Sequence, residues 1–385
     1  MVKVTTDLVT VPIIAANAEG TYVPDLKQEE FNISEDGVKQ DVAFFATVSA
    51  PFHVVLLLDT SASTQEKIGF IRKAAIAFVE QLQPGDRVKV ISFDDQVRDL
   101  NEFTSNRAAL RSAINKTESG KGTKVYDALE LALGSLRSIQ GRKAIVLFSD
   151  GMDWHSDRAS FDSTLHWLDE EELVVYPIRF ETRAETERLA RQQAEEQGSG
   201  LPTLDVIRKT PPGTTAPTFP SDDPDSIPTS GYPGRLPLPA EILRRRNETE
   251  RRRGGTGNPR PDSLPPDPER NPRDIPNDDR FPRRGSRPKT DDSISVMLDQ
   301  AYLTADSYLI ELANRSGGRL VRADTLATLP DAFAQIAAEL RTQYAIGYYP
   351  TNKARDGKYR KIRVTSTRKN LQVRARPGYR APSGG

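Results

Sequence analysis

Five oxygen-bearing side chains stand where apolar runs of this chain end or just beyond them, and together they form a candidate metal-binding set. In the stretch DTSAS, Asp59, Ser61 and Ser63 occupy alternate positions where the run HVVLLLD ends, so a turn there can aim all three at one point. Asp150 ends a second run, KAIVLFSD, and Thr123 lies between them in GKGTKVYDAL. Two carboxylates and three hydroxyls are hard oxygen donors, which favour Mg²⁺, Mn²⁺ or Ca²⁺ over zinc or copper.

Catalytic chemistry has little support in the sequence. There is no cysteine, there are only three histidines, and no nucleophile elbow, phosphate loop or zinc signature is present. His155 lies close to Asp150 along the chain and is either a base beside the metal or a residue at the rim of the site. A hydrolase that activates water with the metal needs a positioned base, and the sequence identifies none. We therefore expect a binding protein and not an enzyme.

The overall charge excludes some classes of partner. The chain has 54 basic and 54 acidic residues, so its formal charge gives no support for nucleic acid or an anionic membrane as the main partner. No apolar run approaches the roughly 20 residues that a membrane span needs. The start, MVKVTTDLV, lacks the apolar core of a signal peptide, so we expect none in this chain.

The apolar runs that carry the oxygen-bearing residues predict strands of an α/β sheet. The unbroken runs His53–Asp59 and Lys143–Asp150 suit central parallel strands buried on both faces. The carboxyl ends of such strands form the ligand crevice of open α/β sheets. Further strands are predicted at 87–93, 173–180 and 317–323, and helices at 68–82, 109–114, 125–139, 161–171, 308–315 and 329–340. This alternation predicts a doubly wound, mostly parallel sheet.

A segment rich in proline, arginine and aspartate interrupts that alternation at 201–291. A stretch such as NPRPDSLPPDPERNPRDIPNDDR has too few apolar residues to offset its ordering entropy, so we expect this segment to be largely disordered. Its two arginine triplets, in ILRRRNETERRRGG, are either a docking patch for an acidic partner or a solvated basic stretch. Because apolar periodicity resumes afterwards, the segment is predicted to be an insertion in the sheet domain.

The two ends of the chain predict further strands. Val9, Val11 and Ile13 alternate with other residues, as do Ile362 and Val364, and turn signals such as Asp36-Gly37 separate the runs. Neither end is long enough to form a sheet domain by itself. Pairing of the two ends would build a small β-sandwich.

The oxygen-bearing set resembles the metal-ion-dependent adhesion site of von Willebrand factor A domains, in which DxSxS, a threonine and a second aspartate follow in this order. The resemblance implies a metal ligated directly by Ser61, Ser63 and Thr123, with Asp59 and Asp150 acting directly or through bound water. One coordination position would stay open, and in this family a carboxylate of a partner protein commonly fills it. The alternative is a purely structural role, in which the three hydroxyls only cap helices and turns.

The flanks are similar to those of bacterial proteins related to von Willebrand factor A, which have EDG-type strands before the A domain and YxxGYxP and ARPGY motifs after it. Chains of that group are generally exported, which implies an extracytoplasmic location, secreted or periplasmic. The predicted organisation is N-terminal sandwich strands at 1–50, the A domain at 51–200 and 292–342, the insertion at 201–291, and C-terminal sandwich strands at 343–385.

Three functional hypotheses follow from the residues and the resemblance. The first is an exported adhesion or scaffold module that binds a carboxylate of a partner protein through Mg²⁺, with Mn²⁺ or Ca²⁺ as alternatives. The second is an intracellular assembly partner of an ATPase complex, and the third is a metal-dependent hydrolase. The flanking sandwich strands favour the first.

Overall fold

A computed structural model describes residues 8–46, 51–196, 290–323 and 328–383, without the side chains at 193–196 and 290–293. Of the segment predicted to be disordered, 201–291, only Thr290 and Asp291 fall within these ranges, and both are helical. The remainder of that prediction lies outside the described residues.

The central sheet has the predicted doubly wound architecture. Its six strands are β5 (Phe52–Asp59), β6 (Arg87–Phe93), β7 (Val97–Asp99), β8 (Arg142–Phe148), β9 (Val174–Phe180) and β10 (Val321–Ala323). They lie side by side in the order β10-β9-β8-β5-β6-β7, and all neighbours are parallel except β6 and β7. The short antiparallel edge strand β7 was not predicted from the sequence. Its three residues do not alternate between apolar and polar side chains, so the sequence shows no strand pattern there.

Helices cover both faces of this sheet: α1 (Ile68–Glu80), α2 (Arg107–Asn115), α3 (Val125–Arg137), α4 (Phe161–Glu170), α5 (Arg183–Glu196), α6 (Thr290–Ser316) and α7 (Leu329–Arg341). In β5, Val54, Leu56 and Leu58 face a core with α1 and α7. Val55 and Leu57 face a second core with α3 and α6. All five are fully buried, which explains why the run is apolar without alternation.

Helix α6 begins much earlier than the predicted start near Tyr308. Its buried residues continue backwards at helical spacing, through Ala305, Tyr302, Leu298 and Ile294, and they pack with Ala190 of α5. The helical spacing of apolar residues in α6 was therefore present in the sequence. It was missed because the first turns of the helix contain few apolar residues and directly follow a charged segment.

The ends of the chain form the predicted β-sandwich of two antiparallel four-stranded sheets. Its strands are β1 (Val9–Asn17), β2 (Phe31–Glu35), β3 (Val38–Gln40), β4 (Val42–Ala46), β11 (Tyr344–Tyr348), β12 (Tyr359–Ser366), β13 (Leu371–Ala375) and β14 (Gly378–Arg380). One sheet has the order β13-β1-β11-β4 and the other β14-β12-β2-β3. Both contribute to a single core. Asp36 (φ +48°) and Gly37 (φ +86°) form the turn between β2 and β3, as the Asp-Gly signal predicted.

A buried polar cluster explains three of the flanking motifs. Glu35, from EDG, accepts hydrogen bonds from the hydroxyls of Tyr348 (2.7 Å) and Tyr379 (3.0 Å) and from the Arg360 guanidinium (3.2 Å). The two tyrosines come from the YxxGYxP and ARPGY motifs. The side chains of Glu35 and Arg360 are only 2% and 4% exposed, so their ion pair is buried in the sandwich and links both ends of the chain.

The sandwich is joined to the sheet domain through α7, which leads directly into β11. Glu339, fully buried on α7, accepts hydrogen bonds from Tyr22 (2.7 Å) and Arg319 (2.8 Å) and from Arg374 of β13. Arg374 also donates to the carbonyl of Gly317 (3.0 Å). No described helix is both long and apolar enough to cross a membrane.

We expect Glu35→Ala to lower the free energy of unfolding of the sandwich by about 3–5 kcal/mol, because it removes the buried counter-charge of Arg360 and leaves that guanidinium only the more distant carboxylate of Asp356, at 3.9 Å. Thermal and chemical denaturation followed by tyrosine fluorescence would measure this. The exposed Asp41 provides a matched control, and Asp41→Ala should change stability by less than about 0.5 kcal/mol. Equal stability of the Glu35→Ala variant and the wild type would contradict the role of this cluster.

Candidate metal centre

The sheet order brings Asp59 and Asp150 to one place. Strands β5 and β8 are adjacent and parallel, with Leu58 opposite Phe148, so the residues that follow them emerge at the same edge. The chain passes from β5 to β6 on one side, while β8 lies on the other. This change of direction is where open α/β sheets leave a crevice.

The DTSAS turn is fixed by hydrogen bonds within itself. Asp59 Oδ1 accepts a hydrogen bond from the backbone N–H of Ser61 (3.0 Å), and the hydroxyls of Ser61 and Ser63 lie 3.3 Å apart. A 3₁₀ helix follows at Ala62–Lys67, and the N–H and hydroxyl of Thr64 both donate to the carbonyl of Ser61. The turn therefore holds a carboxylate and two hydroxyls close together.

Ser149 supports the other oxygen of Asp59. Its hydroxyl donates to Asp59 Oδ2 at 2.7 Å and accepts a hydrogen bond from the backbone N–H of Gly151 at 2.9 Å. This fully buried serine was not among the predicted site residues. Its position immediately before Asp150, in SDG, is the sequence signal that could have identified it.

Residues outside the central sheet donate hydrogen bonds to the carboxylate of Asp150. Its Oδ1 accepts a hydrogen bond from the N–H of Met152 (3.0 Å), and its Oδ2 accepts one from the hydroxyl of Thr182. The hydroxyl of Tyr302 on α6 lies 2.9 Å from the hydroxyl of Thr182. It also lies 2.9 Å from the hydroxyl of Thr186 on α5. Sequence reasoning missed these three residues because they lie on either side of the long segment between α5 and α6.

Thr123 lies on the loop beside Asp150. It is 5% exposed, and its carbonyl accepts hydrogen bonds from the N–H groups of Trp154 and His155, both at 3.1 Å. In the described structure the Thr123 hydroxyl makes no hydrogen bond to the other four predicted residues. A Cβ at Gly122 would lie 2.8 Å from His155 Nδ1 and 3.2 Å from the Asp95 Cα, so a larger residue here would displace the histidine or the loop.

His155 lies against the loop that carries Thr123. Its Nδ1 is buried without a hydrogen-bond partner in the described structure, and burial, followed by the nearby charge of Lys124, lowers its pKa. The ring packs against Gly122. This packing gives His155 a positional role in the loop that carries Thr123.

The electrostatics of the site are dominated by two buried acids. Asp59 is fully buried and Asp150 is 2% exposed. Burial, and then the charge of Asp150, raise the pKa of Asp59 to about 7. Burial also raises the pKa of Asp150, although the Thr182 hydroxyl opposes this. Neither carboxylate forms an ion pair with a described lysine or arginine; Arg179, the nearest cation to act on Asp150, pairs with Asp306.

This donor set fits a hard divalent cation. Such an ion would supply the positive charge that the two acids lack, and the serine hydroxyls beside Asp59 are neutral oxygen donors. Within the described ranges no three His, Cys, Asp or Glu side chains group as a metal site.

Residues 54–152 match a family model, that of the von Willebrand factor type A domain. This match confirms the predicted family resemblance over the segment that holds all five predicted residues. An uncharacterised protein of Synechocystis sp. is 29% identical over 114 residues, which are 28% of this chain and 27% of that protein. The chain thus spans about a quarter of that relative's length.

Two solved structures show partial similarity. A von Willebrand factor type A protein from Catenulispora acidiphila has 18% identity and a TM-score of 0.32, over 42% of this chain and 43% of that one. Proximal thread matrix protein 1 from the mussel byssus, with a zinc-occupied MIDAS motif, has 20% identity and a TM-score of 0.32, over 36% and 38% of the two chains.

In metal-free buffer we expect stability to fall as the pH rises from about 4 to 7. In this range Asp59 is ionised in the unfolded chain but stays protonated in the folded one, because its pKa rises from 3.8 to about 7. The folded state then binds more protons, so stability is fully present below pH 4 and is lost as pH approaches 7. The contribution of Asp59 alone corresponds to about 4 kcal/mol at most.

Thermal melts between pH 4 and 8 in a chelator would measure this fall. Asp59→Asn should make it smaller and should raise stability at pH 8, whereas Asp162→Asn, at an exposed site on α4, should leave it unchanged. A fall in Asp59→Asn as steep as that of the wild type would disprove the assignment to Asp59.

Proposed function

We propose that this von Willebrand factor A domain protein is a binding module that holds a divalent cation at the carboxyl end of β5 and β8 and coordinates a carboxylate of a partner protein through it. The observation that carries the proposal is the pair of buried acids, Asp59 and Asp150, to which no lysine or arginine of the described residues is paired. Burying two uncompensated negative charges is costly, and a bound cation would relieve that cost.

The proposed ligands are Ser61, Ser63 and Thr123, with Asp59 and Asp150 acting directly or through water. The contacts of Ser61 with Asp59 and Ser63 support this set, as do the bonds that hold Thr123 to the loop after Asp150. Mg²⁺ is the proposed ion, with Mn²⁺ or Ca²⁺ as alternatives, because every donor is an oxygen.

The partner's contribution follows from the charge balance. When the directly bound protein ligands are neutral hydroxyls, the cation keeps much of its positive charge and can attract an external anion. An aspartate or glutamate side chain of a partner has the charge and the oxygen donors for the open position. We therefore propose an adhesion or scaffold role.

Von Willebrand factor A domains are generally interaction modules without enzymatic activity. A hydrolase is the less favoured alternative, since the ring of the candidate base, His155, is packed against Gly122 with its Nδ1 buried. The second alternative is that the protein is an intracellular assembly partner of an ATPase complex. An extracytoplasmic location is proposed from the flank resemblance, and fractionation of the native protein would test it against the ATPase-partner alternative.

We expect Ser61→Ala to weaken Mg²⁺ binding by about tenfold or more, because it removes a charge-assisted oxygen contact. Isothermal titration calorimetry of the metal-free protein would measure the affinity. At a hundredfold excess over the dissociation constant, Mg²⁺ should stabilise the wild type by about 2.7 kcal/mol. Ser112→Ala, at an exposed position on α2, should bind as the wild type does. Absence of binding to the wild type would refute the proposed site.

We also expect partner binding to require the cation. Affinity capture in Mg²⁺ should retain proteins that are lost in chelator and on the Ser61→Ala matrix, and free acetate should compete with them for the open position. Each purified partner would then be tested by substituting its acidic residues with the corresponding amides. Capture that is equal in chelator, or turnover of a captured protein, would favour the other hypotheses.

A further inference from the structure

The outer face of the second sandwich sheet carries a shallow, open cationic cavity, and its lining shares no residue with the candidate metal centre. Its volume is about 370 Å³, and its polar lining comes from β2, β3 and β12. The lining side chains include Asn32, Ser34, Lys39, Arg363 and Thr365. The two cations among them have no acidic counterpart in the lining.

Strand register places the two cations symmetrically. Ser34 pairs with Lys39 on one side and with Arg363 on the other, so the three side chains form a row across the sheet. With strands roughly 4.8 Å apart, the outer two backbones are roughly 10 Å apart. Lysine and arginine side chains are long enough to converge above a serine across that distance.

The side chains of Lys39 and Arg363 form no ion pair or hydrogen bond within the described parts of the chain. The nearest acid along this edge is Asp36 in the turn, and its Oδ1 accepts a hydrogen bond from the backbone N–H of Lys361 (2.9 Å). Two exposed charges roughly 10 Å apart repel each other only weakly in salt, and an anion placed between them would be attracted to both.

We propose that this cavity binds an oxyanion group. Arg363 would contact it through its planar guanidinium, Lys39 as a point charge from the opposite side, and Ser34 by a hydroxyl hydrogen bond from below. Asn32 and Thr365, one step along the same face, add further donors beside it. Sulfate, phosphate and carboxylate groups share the required chemistry.

The experiment is an NMR titration of the full, metal-free chain with sodium sulfate, with sodium acetate in a second arm and sodium chloride at matched ionic strength as the screening control. Metal-free protein separates this site from the candidate cation centre, so failure of one proposal does not affect the other. The expected result is saturable shifts of the backbone amide signals of Asn32, Ser34 and Lys39. Sulfate binding alone would indicate a tetrahedral ligand, and equal acetate binding would indicate a carboxylate ligand.

Lys39→Gln and Arg363→Gln should each weaken the affinity by about tenfold. Lys116→Gln, exposed on the sheet domain, is the control and should bind as the wild type does. Unchanged signals elsewhere in each spectrum would show that the variants fold. Non-saturating shifts that chloride reproduces, or equal affinity in the glutamine variants, would overturn the proposal.

Discussion

The arrangement around the site depends on two carboxylates buried side by side at the end of the central sheet. Asp59 and Asp150 follow strands β5 and β8, which are apolar on both faces and covered by helices on both sides. The packing of these two strands fixes the positions of the acids. The repulsion between the acids is offset locally by hydrogen bonds from Ser149 and Thr182. The fold therefore supplies the energy that holds an electrostatically unfavourable pair in place.

The support for Asp150 is shared with the helices that flank the long segment between α5 and α6. Tyr302 on α6 lies within hydrogen-bonding distance of Thr182 and Thr186, and Met152, just after Asp150, packs in the same small core as Leu298. Helices α5 and α6 thus both contact residues that lie next to Asp150. A change in the packing of α5 against α6 would therefore alter the hydrogen bond that Thr182 donates to Asp150.

Much of the sheet domain was predictable because its strands are continuous apolar runs and its chemistry is compact in sequence. DTSAS and SDG each contain their own local hydrogen bonds, so Asp59, Ser61 and Asp150 stand out without a structure. Thr182 and Tyr302 could not be recognised, since a threonine and a tyrosine acquire their roles only when distant helices meet. Glu35 was part of a recognised motif, but its partner Arg360 lies 325 positions away and carries no local mark. The ligand roles of the five predicted residues stay a prediction.

The sandwich contains strands from both ends of the chain, and this has a consequence during biosynthesis. Val9 pairs with Tyr348, and Ile13 pairs with both Tyr344 and Ala375. On the ribosome, β1 emerges before either of its neighbours, because β11 and β13 follow the whole sheet domain along the chain, and the sheet domain can fold in the meantime. Until those strands are translated, the nascent chain carries an apolar strand with two free edges, and such edges favour association with other chains.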